Sequence, residues 1–240
     1  MTEPIIYIVF HKPCEIFNLP NNYKKIQAGV DCNLIRCSNS DKVIEKSFIH
    51  TDFFKQMDYY DNNGDNISQM NYNTSLLSVY YYIYHNLTFE DNNHIGFCHY
   101  RRLIFTPPDY KNYDILINSY IDINSFKNIS VENYFYNREI IIENNPFRDQ
   151  FKRYFPNEFE EFKVFQKELI QNVLLGEIFV MKWYLFKQFF EQMYKIHLIM
   201  YKYQSYCSSY AHNLELIISF VIWKLCKNNK YINNFKCLLF

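Results

Sequence analysis

The segment Ile95-Gly96-Phe97-Cys98-His99-Tyr100-Arg101-Arg102 runs a short apolar stretch straight into four side chains that can hold an anion. An arginine fork matches a phosphate or carboxylate through paired hydrogen bonds. In open α/β sheets, ligands bind beyond the carboxyl ends of the strands, which is where these four residues would stand. Alternation predicts His99 and Arg101 on one side, with Tyr100 and Arg102 on the other, if the chain stays extended. One Arg would then fork onto a diphosphate while the other packs or pairs with a carboxylate. The competing reading is a solvated strand end carrying salt bridges.

Three other places carry candidate chemistry. Asp61-Asn62-Asn63-Gly64-Asp65-Asn66-Ile67-Ser68 is the strongest loop signal in the chain. Asp65 and Ser68 bracket the approach to a helix, and such a turn can grip a hydroxylated ligand through backbone and side chains. It is a poor calcium loop, because the EF-hand spacing and terminal Glu are missing. A bare turn in an Asn-rich chain is the alternative. His11-Lys12 closes the first strand at the ligand edge of a sheet. Gly176-Glu177 precedes an apolar strand, where Glu177 could accept a proton from a hydroxyl or be only an exposed carboxylate. The chain has no Walker A loop, no G-x-G-x-x-G, no G-x-S-x-G and no Asp-x-Asp pair.

The elements that must position these groups follow from periodicity. Ile5 to Phe10 is a continuous β-branched and aromatic run, read as a buried first strand. Residues 13 to 30 read as irregular. Tyr72 to Asn86 reads as a helix, capped by Asn71 or Asn73. Ile95 to His99 is a second buried strand, and Glu139 to Ile142 a possible third. Phe147 to Asn172 has helical spacing broken at Pro156. Glu177 to Met181 reads as a strand leading into a helix over Trp183 to Tyr203, and Asn213 to Cys226 as the last helix. No internal repeat or linker divides the chain. The expectation is one domain over residues 1–240, with the C-terminal helices, about 183–228, packed on it.

Composition narrows the partners. The 240 residues carry 25 basic and 25 acidic side chains, so no overall basic field draws in nucleic acid. The 23 Tyr and 23 Phe, with abundant Asn, Lys and Ile, read as an AT-rich coding genome of a large DNA virus, a parasite or a low-GC bacterium. Seven Cys, an odd number with no C-x-x-C spacing, favour reduced thiols in a cytosolic setting. The first residues lack the pattern of a signal peptide, and Leu216 to Leu225 is too short to span a bilayer, which takes about 20 residues. A cytoplasmic location is expected, in the host if the source is viral.

Together these motifs resemble the domain of unknown function numbered 4422, a family of capsule and lipopolysaccharide biosynthesis clusters regarded as glycosyltransferase-like. The resemblance rests on Tyr7-Ile-Val-Phe-His11-Lys12, Ile26-Gln27-Ala28-Gly29, the octet Asp61 to Ser68 with Asn71, Tyr81 to Asn86, and Ile95 to Arg102. Phe179-Val-Met-Lys182 and Leu214-Glu215-Leu216 match later family patterns. The chain departs where the family usually holds a Glu (Leu76 here), at its Lys-Asn (His85-Asn86 here), and at the Arg expected beside Glu215.

The resemblance implies a GT-A-like, Rossmann-like α/β fold with a mixed sheet flanked by helices. It implies transfer of a sugar from a nucleotide-diphosphate donor, UDP-sugar favoured, to a glycan or glycolipid hydroxyl. A divalent metal such as manganese is compatible, although the Asp-x-Asp clamp is missing. Under this reading Arg101, Arg102 and His99 hold the diphosphate, with Tyr100 beside them. His11, Lys12, Gln27 and Gly29 line the nucleotide pocket. Asp65, Asn66 and Ser68 hold the donor or a metal, Asp65 counting with Glu177 among the catalytic carboxylates. No nucleic acid and no transmembrane segment are expected, while peripheral membrane contact is allowed. Two alternatives remain: a catalytically inactive nucleotide-sugar or glycan-binding relative, which Leu76 favours, and a structural or interaction protein.

Overall fold

The computed structural model describes residues 3–14, 19–32, 34–36, 43–45, 52–100, 102–104, 106–117, 146–169, 178–206, 210–233 and 237–239. In chain order the strands are β1 (Ile5–Phe10), β2 (Tyr23–Gln27), β3 (Leu34–Arg36), β4 (Val43–Glu45), β5 (Tyr59–Tyr60), β6 (His94–His99), β7 (Arg102–Ile104), β8 (Ile115–Ile117), β9 (Phe179–Lys182), β10 (Tyr231–Asn233) and β11 (Cys237–Leu239). The α-helices are α1 (Asn71–Thr74), α2 (Leu77–Asn86), α3 (Pro146–Tyr154), α4 (Pro156–Leu169), α5 (Trp183–Met200) and α6 (Tyr210–Cys226).

Seven strands form one mixed sheet in the order β10-β8-β9-β6-β1-β2-β5. The run β6-β1-β2-β5 is parallel, and β9 runs antiparallel between β6 and β8. After β1 the chain adds β2 and β5 on one side, then returns to add β6 on the other. That reversal at β1 is the topological switch point, where open sheets bind ligands. Buried on both faces, β1 is apolar throughout, as parallel central strands require.

The expected β1 is observed without change of bounds. Helix α5 follows from Trp183, Phe186, Phe189, Phe190, Met193, Ile196 and Met200, which recur at helical spacing and are all buried. It ends at Met200, and Tyr201–Tyr206 tightens into a 3₁₀ turn. Pro156 separates α3 from α4 as expected, because proline cannot donate to the preceding turn. The aromatic residues fill the core. Tyr80 on α2 packs 4.8 Å from Phe97 of β6 and 5.5 Å from Phe189, while Phe97 stacks on Phe186 at 5.2 Å. Such ring pairs add roughly 0.5–1.5 kcal/mol each beyond burial. Residues of all five longer helices join this cluster on one face of the sheet. The second face is covered by Phe54, Met57, Tyr100, Leu103, Ile104 and Tyr110.

Three expectations change. The irregular stretch over residues 13 to 30 contains β2, which reads Tyr-Lys-Lys-Ile-Gln and becomes a strand because β1 and β5 pair with its two edges. The helix over Tyr72 to Asn86 is broken between α1 and α2. There Ser75 takes φ 49°, and Asn71, the first residue of α1 instead of its cap, donates through Nδ2 to the Ser75 carbonyl at 2.8 Å. The strand over Glu177 to Met181 begins at Phe179. The possible strand Glu139 to Ile142 lies outside the described residues.

His197 sits buried in α5 with Nδ1 3.0 Å from the Tyr210 hydroxyl. Burial lowers its pKa from 6.5 to about 4. Between those values the unfolded chain takes a proton that the folded chain refuses, so stability is complete above pH 6.5 and falls toward pH 4. The loss reaches about 3 kcal/mol. Urea unfolding is expected to show a shallower acid dependence for His197→Gln than for wild type over this window. Equal slopes would contradict it.

Candidate functional site

The parallel ladders bring four strand ends to one edge. Val9 pairs with His99, Phe10 with Gln27, and Gln27 with Tyr60. The ladder continues one step further: the amides of Ala28, Asp61 and Tyr100 donate to Phe10, Gln27 and Val9 at 2.8, 3.1 and 3.2 Å. His11, Ala28, Asp61 and Tyr100 therefore emerge side by side.

At the switch point the rings gather. The His11 imidazole lies 5.0 Å from that of His99 and 5.1 Å from the Tyr100 ring. His99 and Tyr100 are 4.0 Å apart, and the Lys12 ammonium lies 5.9 Å from the centre of the Tyr100 ring. Tyr100 stacks on Phe10, which fixes its inner edge. Simple alternation past β6 does not hold, since His99 and Tyr100 both approach His11. The chain turns at Tyr100 instead of staying extended. A cluster of one ammonium and two protonatable imidazoles suits a diphosphate. Arg101 and Glu177 lie outside the described residues, as does the side chain of Arg102, whose backbone is on β7 opposite Leu239. Ile178 is the next described residue after Glu177, and Phe179 of β9 lies opposite Phe97 toward the carboxyl end of β6.

The loop after β2 is built around Asp61, which is 0% exposed. One oxygen accepts the Gly29 amide at 2.7 Å and the Ser78 hydroxyl at 2.8 Å. The other accepts the Val30 amide at 3.0 Å and the Ser68 hydroxyl at 2.6 Å. Ser68 in turn accepts the Asp31 amide at 3.0 Å, and Ser78 accepts Asn71 Nδ2 at 2.8 Å. Asp61 is the nearest acceptor for both hydroxyl protons, the Ser75 carbonyl being a longer alternative for Ser78 at 3.4 Å. Burial raises the Asp61 pKa, and these four donors oppose that by favouring the carboxylate. Four converging donors fit an ionised group, which is the state we assign.

This arrangement bears on two of the expected site residues. The Gly29 amide is turned inward to Asp61, so it cannot face a ligand; its φ of +64° and the nearness of Asn71 explain the glycine. Ser68 is likewise fully buried, and its hydroxyl is consumed by Asp61. Gln27 is 1% exposed on the opposite face of β2, and its Nε2 has no acceptor among the described residues. A buried donor without a partner costs about 1–3 kcal/mol, and among the described residues this one, beneath the ligand edge, has none.

Asp65 is tied to the carboxyl end of α2 and Asn66 to its own turn. Asn86, at the end of α2, accepts the Asp65 amide at 3.1 Å and donates to its carbonyl at 2.8 Å. Tyr81 donates to the Asp65 carboxylate at 3.1 Å, and His85 lies 3.5 Å from it. Ser78, which holds Asp61, is eight residues earlier on the same helix, about 12 Å by the rise per residue. Asn66 closes its own turn, donating to the Asn62 and Gly64 carbonyls and accepting the Ser68 amide. Leu76 is buried in the core before α2.

Asp61 was missing from the expected site residues. Its signal is the spacing Asp61-x₆-Ser68, readable only once β5 is known to end at the ligand edge. A cleft of about 380 Å³ lined by Glu3, Asn22, Tyr23 and Tyr110, among others, lies at the amino ends of β1 and β2. It is on the wrong edge for the ligand rule of parallel sheets. Among the described residues no three His, Cys, Asp or Glu side chains gather as a metal ion needs, so no ligand set is assigned. None of their helices is long and apolar enough to cross a membrane.

The fold is similar to that of part of a solved glycosyltransferase. It is similar to the apo structure of WbbM, a bifunctional glycosyltransferase, with a TM-score of 0.66 at 17% identity. The match covers 99% of this chain and 45% of that one, so the chain spans less than half of WbbM. The family model named Domain of unknown function (DUF4422) matches residues 5–227, and the chain belongs to that family. No protein with a curated description matches it.

Proposed function

We propose that the protein is a glycosyltransferase that binds a nucleotide-diphosphate sugar across the carboxyl ends of β6, β1 and β2. On this reading it passes the sugar to a hydroxyl of a glycan or glycolipid. The observation that carries the proposal is the gathering of His11, Lys12, His99 and Tyr100 at the switch point of the sheet. The likeness of fold to a glycosyltransferase and the spare Gln27 donor support it. A GT-A-like arrangement over one domain, with peripheral membrane contact at most, is the matching architecture.

Breaking the bond from the sugar to the diphosphate leaves negative charge on the departing phosphate oxygens. His11, His99 and Lys12 meet that charge, and Arg101 and Arg102, next in the chain, are proposed to complete the set. Donors fixed before the reaction stabilise charge without reorganisation. Glu177 is proposed as the base that accepts the acceptor hydroxyl's proton. Its neighbour Ile178 stands beside the carboxyl end of β6, which supports that role. Asp65, tied to the far end of α2, is not proposed to take part.

A thermal-shift screen against UDP-, GDP-, CMP- and dTDP-sugars, with and without manganese, tests the proposal on wild type and Arg101→Ala. Stabilisation by one nucleotide class that weakens in the variant is the expected result. No shift with any donor on folded protein would sink it. Binding without turnover in the presence of acceptors would favour the inactive-relative reading, for which buried Leu76 speaks.

A further inference from the structure

The turn after β2 holds a carboxylate that none of the roles above uses. Residues 29–32 form a tight turn closed by the Cys32 amide on the Gly29 carbonyl at 3.1 Å. All three amides at its head are engaged from below: Gly29 and Val30 by Asp61, and Asp31 by Ser68. The turn therefore offers a ligand no amide. It presents the exposed Asp31 side chain, one oxygen of which accepts Asn62 Nδ2 at 2.8 Å. Asn62 follows Asp61 directly, so one loop both fixes the turn from beneath and aims its carboxylate from the side.

Position says what this carboxylate would meet. Neighbouring strands lie about 4.8 Å apart, so the turn after β2 is one or two spacings, about 5–10 Å, from the cluster between β1 and β6. A nucleoside diphosphate held by His11, His99 and Lys12 and lying across the strand ends toward β2 would bring its ribose within that reach. A carboxylate is an acceptor only, and a vicinal diol is a pair of donors. In nucleotide-binding sheets, an acidic residue beyond the second strand holds the ribose hydroxyls for that reason. The negative charge of Asp31 also disfavours placing the diphosphate itself there.

We infer that Asp31 is a specificity residue that accepts the ribose 2′- and 3′-hydroxyls of the donor nucleotide, so that the site selects ribonucleotides over deoxyribonucleotides. The inference rests on the donor-site reading above and deepens it. Asn62 and the Asp61–Ser68 pair are positioning residues for the same carboxylate.

Calorimetric titration of the full chain with UDP and 2′-deoxy-UDP, and with GDP and 2′-deoxy-GDP, tests it on wild type and Asp31→Ala. Wild type is expected to bind the ribonucleotide of the preferred base about tenfold more tightly than its deoxy form, the range of a hydrogen bond to a charged group. Asp31→Ala is expected to lose more affinity for the ribonucleotide than for the deoxy form, which has only its 3′-hydroxyl to lose, so that the two forms bind equally. Asn62→Ala is expected to reduce the preference part of the way. A merely structural Asp31 would weaken both forms alike. Ribonucleotide binding without a preference, or a preference that survives Asp31→Ala, overturns the role of Asp31 and leaves the donor site standing. Failure of every nucleotide to bind wild type overturns the donor site and this inference together.

Discussion

Asp61→Asn is expected to destabilise the protein by about 3 kcal/mol or more, although the two side chains have nearly the same shape. The Asp61 carboxylate is fully buried and receives two donors on each oxygen. A hydroxyl turned round would have to accept twice, since Ser68 already accepts the Asp31 amide and Ser78 the Asn71 side chain, and its own proton would pass to a poorer acceptor such as the Ser75 carbonyl, 3.4 Å from Ser78. An amide nitrogen in place of either oxygen would set its own hydrogens against an N–H and an O–H. Each buried donor left without an acceptor costs about 1–3 kcal/mol, and breaking a buried charged network about 3–5. Urea unfolding reads the loss directly. A change below about 1 kcal/mol would mean that the four contacts do not carry the loop.

His99→Ala is expected to lower kcat/KM by about a hundredfold, with most of the fall in kcat. His99 is the last residue of β6 and reaches both His11 and Tyr100 at the switch point. A donor aimed at charge that grows in the transition state acts on kcat more than on ground-state binding. Removing one such donor costs about 10²–10³ in rate. His99→Gln keeps a donor and is expected to recover part of the loss. Initial rates with the donor found by the thermal-shift screen decide it. Unchanged kcat with a raised KM would make His99 a binding contact only.

Strand ends were the legible part of the site. Ile5–Phe10 announces itself by its unbroken apolar run, and a strand that ends in His-Lys points to the ligand edge. The same logic placed His99 and Tyr100. Their meeting with His11 follows from the parallel pairing of β1 with β6, which no local pattern reveals. Strand β2 was illegible because Lys24 and Lys25 mask it, and the β1 and β5 ladders, not propensity, make it extended. Asp61 and Asp65 look alike in one Asn-rich loop. Only the fold separates them, burying Asp61 under the turn and leaving Asp65 exposed at the end of α2. The kink at Ser75 was hidden for a similar reason, since the Asn71 side chain that holds it competes with the helix over four residues.

The location of the bound nucleotide is the most direct measurement. A crystal structure of the protein with the nucleoside diphosphate selected by the screen should show the diphosphate between the ends of β1 and β6. Its oxygens should lie within hydrogen-bond reach of His11 and His99, with the ribose over the turn after β2. A nucleotide found instead in the cleft at the amino ends of β1 and β2, beside Tyr23 and Tyr110, would contradict the donor site proposed for this family member.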